Sequence, residues 1–145
     1  EAIEVLDRSE KDGLVHSPVN AQRPMGLCNC CGCCCGILRG ITQHHLPVSK
    51  VVRSDFYCVS DTEVCCSCEQ CIERCHVNAI QMQDNVAIVD RSQCIGCGLC
   101  VSTCPMSALR LVQLPADTLS APPVSTSALF MQLATEKSRL RAIQK

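Results

Sequence analysis

Cys65-Cys66-Ser67-Cys68-Glu69-Gln70-Cys71-Ile72-Glu73-Arg74-Cys75 decides how this chain is read, because Cys94-Ile95-Gly96-Cys97-Gly98-Leu99-Cys100-Val101-Ser102-Thr103-Cys104 repeats its spacing. Both stretches read C-x2-C-x2-C-x3-C, and Pro105 closes the second. Thiolates two residues apart wrap one iron–sulfur cube from a single tight loop, while the fourth reaches across to the other cube. The spacing therefore assigns one [4Fe–4S] cluster to Cys65, Cys68, Cys71 and Cys104, and a second to Cys94, Cys97, Cys100 and Cys75.

The repeat extends past the ligands. A shift of 29 residues also lays Asp61 on Asp90, Ala79 on Ala108, Ile80 on Leu109 and Met82 on Leu111. Each half reads as strand, ligand loop, short helix, strand, which predicts an α+β unit with pseudo-twofold symmetry. Asp84-Asn85, just before Val86-Ala87-Ile88-Val89, marks the turn between the halves. Residues 56–112 resemble the two-cluster bacterial ferredoxins of the clostridial type. That resemblance implies one-electron transfer at low potential. Two departures stand out: His76 replaces the proline expected after Cys75, and Ser67 and Glu69 stand where the second run has Gly96 and Gly98. The first loop is accordingly expected to be less tightly packed than the second.

Composition supports the same reading. Sixteen of 145 residues are cysteine, which inflates the apolar fraction of 47%, and aromatics make up only 2%. A core this thin needs inorganic staples. A disulfide framework would not need two ordered runs at metal-ligand spacing. No signal peptide and no long apolar span is visible, so a soluble, cytoplasmic chain is expected. Glu1 begins in mid-helix without a methionine, which suggests a fragment. The formal charge is −1, and two oxidised four-thiolate clusters would add about −2 each. No basic patch interleaved with aromatics argues for nucleic acid.

Four segments follow: residues 1–27, an N-terminal helix and extended connection; 28–55, a cysteine-rich metal-binding segment; 56–114, the ferredoxin unit; and 115–145, a linker and C-terminal helix. Ala2, Ile3, Val5 and Leu6 share one side of the first helix, and Gly13 before Leu14 ends it. The second segment opens on Cys28, Cys30, Cys31, Cys33, Cys34 and Cys35, six thiols in eight positions. Eight cysteines in all lie outside the two ferredoxin runs, the others being Cys58 and Cys66. An additional iron–sulfur cluster is the expected occupant of this set. Zinc, which needs only four ligands, and a redox-active dithiol set stay open. His44 and His45 read as a polar loop, and Tyr57 is expected to pack over the first cluster. Leu129, Leu133, Leu140 and Ile143 recur at helical spacing, with Ser125 or Thr126 able to cap the helix.

The residues from Gly13-Leu14-Val15-His16 to the C-x-C-C-x-C-C-C run also resemble the C-terminal part of larger 4Fe–4S-binding proteins of anaerobes. That resemblance implies a longer N-terminal region with further cysteines. It also implies redox partner proteins, a larger oxidoreductase or that missing region among them. The expected function is thus electron transfer within an anaerobic oxidoreductase system. A reductase with its catalytic centre at 28–35 and a cluster-handling protein are the alternatives. No acid–base pair, nucleophile triad or phosphate loop argues for an independent enzyme.

Overall fold

Gly13 ends the first helix in the way its sequence position demands. The computed structural model describes residues 1–143, with side chains as far as Lys137. Helix α1 (Ala2–Lys11) gives way to Gly13 at φ +81°, whose amide bonds the Glu10 carbonyl while that of Leu14 bonds Ser9, both at 2.9 Å. This paired closure is the Schellman arrangement. The apolar residues of α1 do not form a buried stripe. Ile3 is 72% exposed, and the one buried residue is Ser9, whose hydroxyl donates to the Val5 carbonyl.

The helix is held by its C-terminal carbonyls instead. Arg74 Nη2 donates to the Glu10 and Lys11 carbonyls at 2.6 and 2.9 Å, and His76 Nε2 lies 2.6 Å from the Gly13 carbonyl. Helix-end carbonyls keep acceptor capacity that the helix itself does not use, and the guanidinium takes it up. The departure from proline at His76 thus has a structural reason: proline has no group to offer the Gly13 carbonyl. Arg74→Met is expected to cost about 1.5–3 kcal/mol, the worth of bonds to a charged group. Urea titration of the holo protein would show it as a lower midpoint, and an unchanged midpoint would refute it.

Residues expected to be an extended connection form two short strands, β1 (Val15–Pro18) and β2 (Leu27–Cys30), paired as a sheet of their own. Helices α2 (Gly36–Thr42) and α3 (Val48–Val51) follow, with His44 and His45 exposed between them.

The segment that carries the two cysteine runs is mixed α+β. Its elements are β3 (Phe56–Ser60), α4 (Gln70–Glu73), β4 (Ile80–Gln83), β5 (Val86–Val89), α5 (Leu99–Thr103) and β6 (Leu109–Gln113). Strand β3 pairs antiparallel with β6, from Phe56 opposite Gln113 to Ser60 opposite Leu109. Strands β4 and β5 form a hairpin on Asp84 and Asn85, at φ +50° and +64°, as a two-residue turn between right-twisted strands requires. Local bonds recur 29 residues apart. The Asp61 amide bonds the Ala108 carbonyl and that of Asp90 the Ala79 carbonyl, each at 2.7 Å. Likewise Asp61 Oδ1 accepts from the Glu63 amide and Asp90 Oδ1 from the Ser92 amide.

The core is thin, as the composition implies. One cluster packs Val15, Leu38, Ile41 and Val48 with Val77, Ala79, Ile95 and Leu99. In the other, Cys58, Cys71 and Cys100 share the interior with Ile80, Ala87 and Leu109, so thiols fill half of it. Sulfur there replaces the large side chains that would otherwise carry the burial energy.

The chain gathers into two compact units, Glu1–His16 with Asn29–Leu119, and Ser17–Cys28 with Ser120 onward. In the second unit the Gln22 amide bonds the Pro123 carbonyl at 2.8 Å. Helix α6 (Thr126–Ile143) is capped by Ser125, whose Oγ accepts from the Ala128 amide at 3.2 Å. Leu133 is half exposed, while the side chains of Leu140 and Ile143 lie outside the described residues. Among the described residues, no helix is long and apolar enough to cross a membrane.

Candidate metal centres

The two ligand loops follow one path despite their different residues. Ser67 and Glu69 take φ +57° and +60°, the left-handed angles that Gly96 and Gly98 take at +66° and +83°. The first loop is therefore wound like the second, with a strain of about 1–2 kcal/mol at each non-glycine position. Packing separates the two loops more than winding does. A Cβ on Gly96 would run into the Phe56 carbonyl and Ser54 Oγ, so that position admits glycine alone. Short helices begin directly after the second left-handed residue, α4 after Glu69 and α5 after Gly98.

Each loop encloses a cavity. The first, partly open to solvent, spans about 370 Å³ and brings Cys65, Cys68 and Cys71 together with Cys104. The second has about 340 Å³ and brings Cys94, Cys97 and Cys100 together with Cys75. Backbone amides point at sulfur in matching places: Ala79 N–H at Cys75 Sγ, 3.2 Å, and Ala108 N–H at Cys104 Sγ, 3.3 Å. The Cys58 amide adds a third such contact to Cys94 Sγ at 3.4 Å. Bonds of this kind favour the thiolate and tune a cluster's potential.

The buried thiols are uncomfortable as anions. Burial pushes the Cys71 thiol above its ordinary value, and the neighbouring Cys100, Cys68 and Cys104 add to the effect. Cys100 is pushed up further, first by its hydrogen bond with Cys58 and then by burial. Cationic iron resolves this conflict, because metal ligation deprotonates a thiol outright. The thiol sets and their cavities fit [4Fe–4S] clusters.

Cys58 and Cys66 lie at these cavities. Cys58 is buried in the second, with the Cys100 Sγ 3.5 Å from its own sulfur, and Cys66 lines the first. The repeat held the signal for Cys58: the 29-residue shift lays it on Ala87, which lines the first cavity. Counting leftover cysteines grouped it with residues 28–35 instead. Tyr57 is not over the first cavity either; Arg91 Cζ sits 4.0 Å above its ring, and Tyr57 lines a separate hollow beside Cys94.

The six thiols of residues 28–35 divide. Sulfurs of Cys31, Cys33 and Cys34 lie within 4.8 Å of one another, with 3.0 Å between Cys31 and Cys33 and 3.5 Å between Cys33 and Cys34. The hydrogen bond from Cys33 lowers the Cys31 thiol to about 7, while Cys33 itself rises to about 11. Those two values belong to the linked set. Burial pushes the Cys35 thiol up, but the Leu38 and Ile37 amides and the Cys30 thiol outweigh it and leave Cys35 below its ordinary value. Cys28 falls in the other compact unit. Between Cys31 and Cys33, Gly32 abuts the ring of His76, the residue after Cys75. The thiol trio is thereby seated beside the Cys75 end of the second cavity.

Thiols gathered around two hollows, with backbone amides pointing at three of them, suit iron–sulfur chemistry. Residues 87–110 match the family of 4Fe–4S binding domains, a span that holds Cys94, Cys97, Cys100 and Cys104. The chain thus carries a ferredoxin-like iron–sulfur domain with a general role in electron transfer. No curated protein matches the chain.

Proposed function

We propose that this chain is a two-cluster ferredoxin of the clostridial type with pseudo-twofold α+β structure, carrying single electrons within an anaerobic oxidoreductase system of the cytoplasm. The observation that carries the proposal is the composition of the cavities: each draws three thiols from its own run and the fourth from the other. Cys65, Cys68, Cys71 and Cys104 would hold one cluster; Cys94, Cys97, Cys100 and Cys75 would hold the second. Such clusters supply one-electron reduction and oxidation at a potential set by charge, hydrogen bonds to sulfur and exposure. The residues of this chain do the rest. Ala87 and Cys58 leave room at the cavity floors, and the Ala79 and Ala108 amides stabilise charge on the crossing sulfurs. Redox partner proteins, such as a larger oxidoreductase, complete the system. A further metal centre belongs to the cysteine-rich segment.

Anaerobically prepared protein should hold about eight iron atoms in the two ferredoxin sites. It should be reduced by a low-potential donor and re-oxidised by a redox protein, without turnover of small substrates alone. Turnover that disappears with the 28–35 cysteines would establish the catalytic alternative, and clusters that no donor reduces would defeat the relay.

A further inference from the structure

We propose that Cys31, Cys33 and Cys34 hold a single soft divalent ion of the zinc class, with an exchangeable fourth ligand, and not a third iron–sulfur cube. The inference goes beyond the relay and stands on the spacing of the sulfurs. A tetrahedral ion with metal–sulfur bonds of about 2.3 Å sets its ligand sulfurs about 3.8 Å apart. The trio converges within 4.8 Å. Ligands of a cube are separated by the width of the cluster, and the same molecule provides the contrast. Among its ferredoxin thiols, no three sulfurs lie within 4.8 Å of one another. Among the described residues, no other three cysteine, histidine or carboxylate groups converge so closely.

The ligand type selects the metal. Three thiolates are soft donors, which favour zinc-like ions over magnesium or calcium. Their mutual repulsion is relieved by a dication, leaving a net charge of −1 at the site. The frame is also prepared. His76 Nδ1 would lie 2.9 Å from any Cβ at Gly32, so the imidazole packs against the loop between two of its ligands. The fourth position is left to an outside ligand because, among the described residues, only three sulfurs converge there. Cys33 and Cys34 are exposed, so water or a small thiol can reach the ion.

The test uses the full chain, reduced, anaerobic and carrying its iron, titrated with cobalt(II) as zinc's coloured stand-in. One cobalt per chain is expected, with thiolate charge-transfer bands and tetrahedral visible bands that move when a small thiol is added and vanish when zinc is added. Cys33→Ser and Cys34→Ser should each weaken zinc binding by more than the roughly 100-fold that loss of an outer-shell partner costs, with iron content unchanged. Cys28→Ser should leave the cobalt spectrum as it was. Failure of iron-replete protein to take up cobalt would overturn the proposal. So would iron beyond about eight atoms that disappears from the Cys33→Ser/Cys34→Ser variant, since that marks a third cluster. Cobalt bands indifferent to added thiol and lost in Cys28→Ser would overturn the open position. Cobalt bound at the trio in a protein holding about four iron atoms or fewer would uphold this inference while defeating the two-cluster relay.

Discussion

Cys71→Ala should strip the first cluster outright, whereas Cys100→Ala should damage the second only in part until Cys58 is also removed. The two positions are equivalent in the repeat, and both are buried at 8% exposure. Their surroundings differ. Cys100 has the Cys58 sulfur 3.5 Å away, while Cys71 has Ala87 at the corresponding place on the cavity floor. A spare thiol beside the lost ligand can take over its iron corner; a methyl group cannot, and Cys66, the spare thiol of the first cavity, is bonded to Cys68 instead. Iron in Cys71→Ala should fall from about eight to about four atoms per chain, the spectrum of the other cluster surviving. Cys100→Ala should keep a second signal of altered shape, and Cys58→Ala/Cys100→Ala should lose it. Identical iron contents in all three variants would refute the substitution, and full iron in the double variant would refute the ligand assignment itself.

Gly96→Ala should be the most damaging exchange of a residue that ligates nothing. Its φ of +66° costs a side chain about 1–2 kcal/mol, and the new Cβ meets the Phe56 carbonyl, backbone that cannot swing aside. Overpacking of this kind costs about 1–3 kcal/mol more. For a small domain that is a large share of the 5–15 kcal/mol that holds a protein folded. The expected result is a holo protein that releases the second cluster faster and unfolds at lower denaturant. Glu69→Gly, at the first-loop position that matches Gly98, should move the other way by relieving left-handed strain of the same kind. Equal stability of Gly96→Ala and the parent chain would exclude this account.

The two cysteine runs and their 29-residue repeat stand in the sequence itself, and the Asp84-Asn85 turn, the Gly13 helix end and the Ser125 cap were legible there. Each is a local rule with a fixed spacing, so residues a few positions apart are enough to state it. What was not legible depends on contacts between distant residues. Strands β1 and β2 are four residues each, too short to show a period of two beside Pro18 and Pro24. The apolar side of α1 suggested a buried face, yet Arg74, sixty-odd residues away, anchors the helix by its carbonyls. The six thiols of residues 28–35 could be counted but not sorted. Their division into a converging trio, the bonded Cys30 and Cys35, and an outlying Cys28 depends on the turn at Gly32 and the start of α2.

Arg74 and Thr103 are counterparts in the repeat, and they touch: Arg74 Nε donates to Thr103 Oγ1 at 3.0 Å, while the hydroxyl donates to the Leu99 carbonyl. A duplicated unit with identical halves would offer an incoming helix two equal berths. Here the first half presents Arg74 and His76, and the second presents Thr103 and Pro105, a hydroxyl already committed and a ring with no hydrogen to give. The repeated segment therefore has one address and not two. The cysteine trio, seated by Gly32 against His76, inherits that choice, so a segment with a repeated cysteine spacing acquires a front and a back.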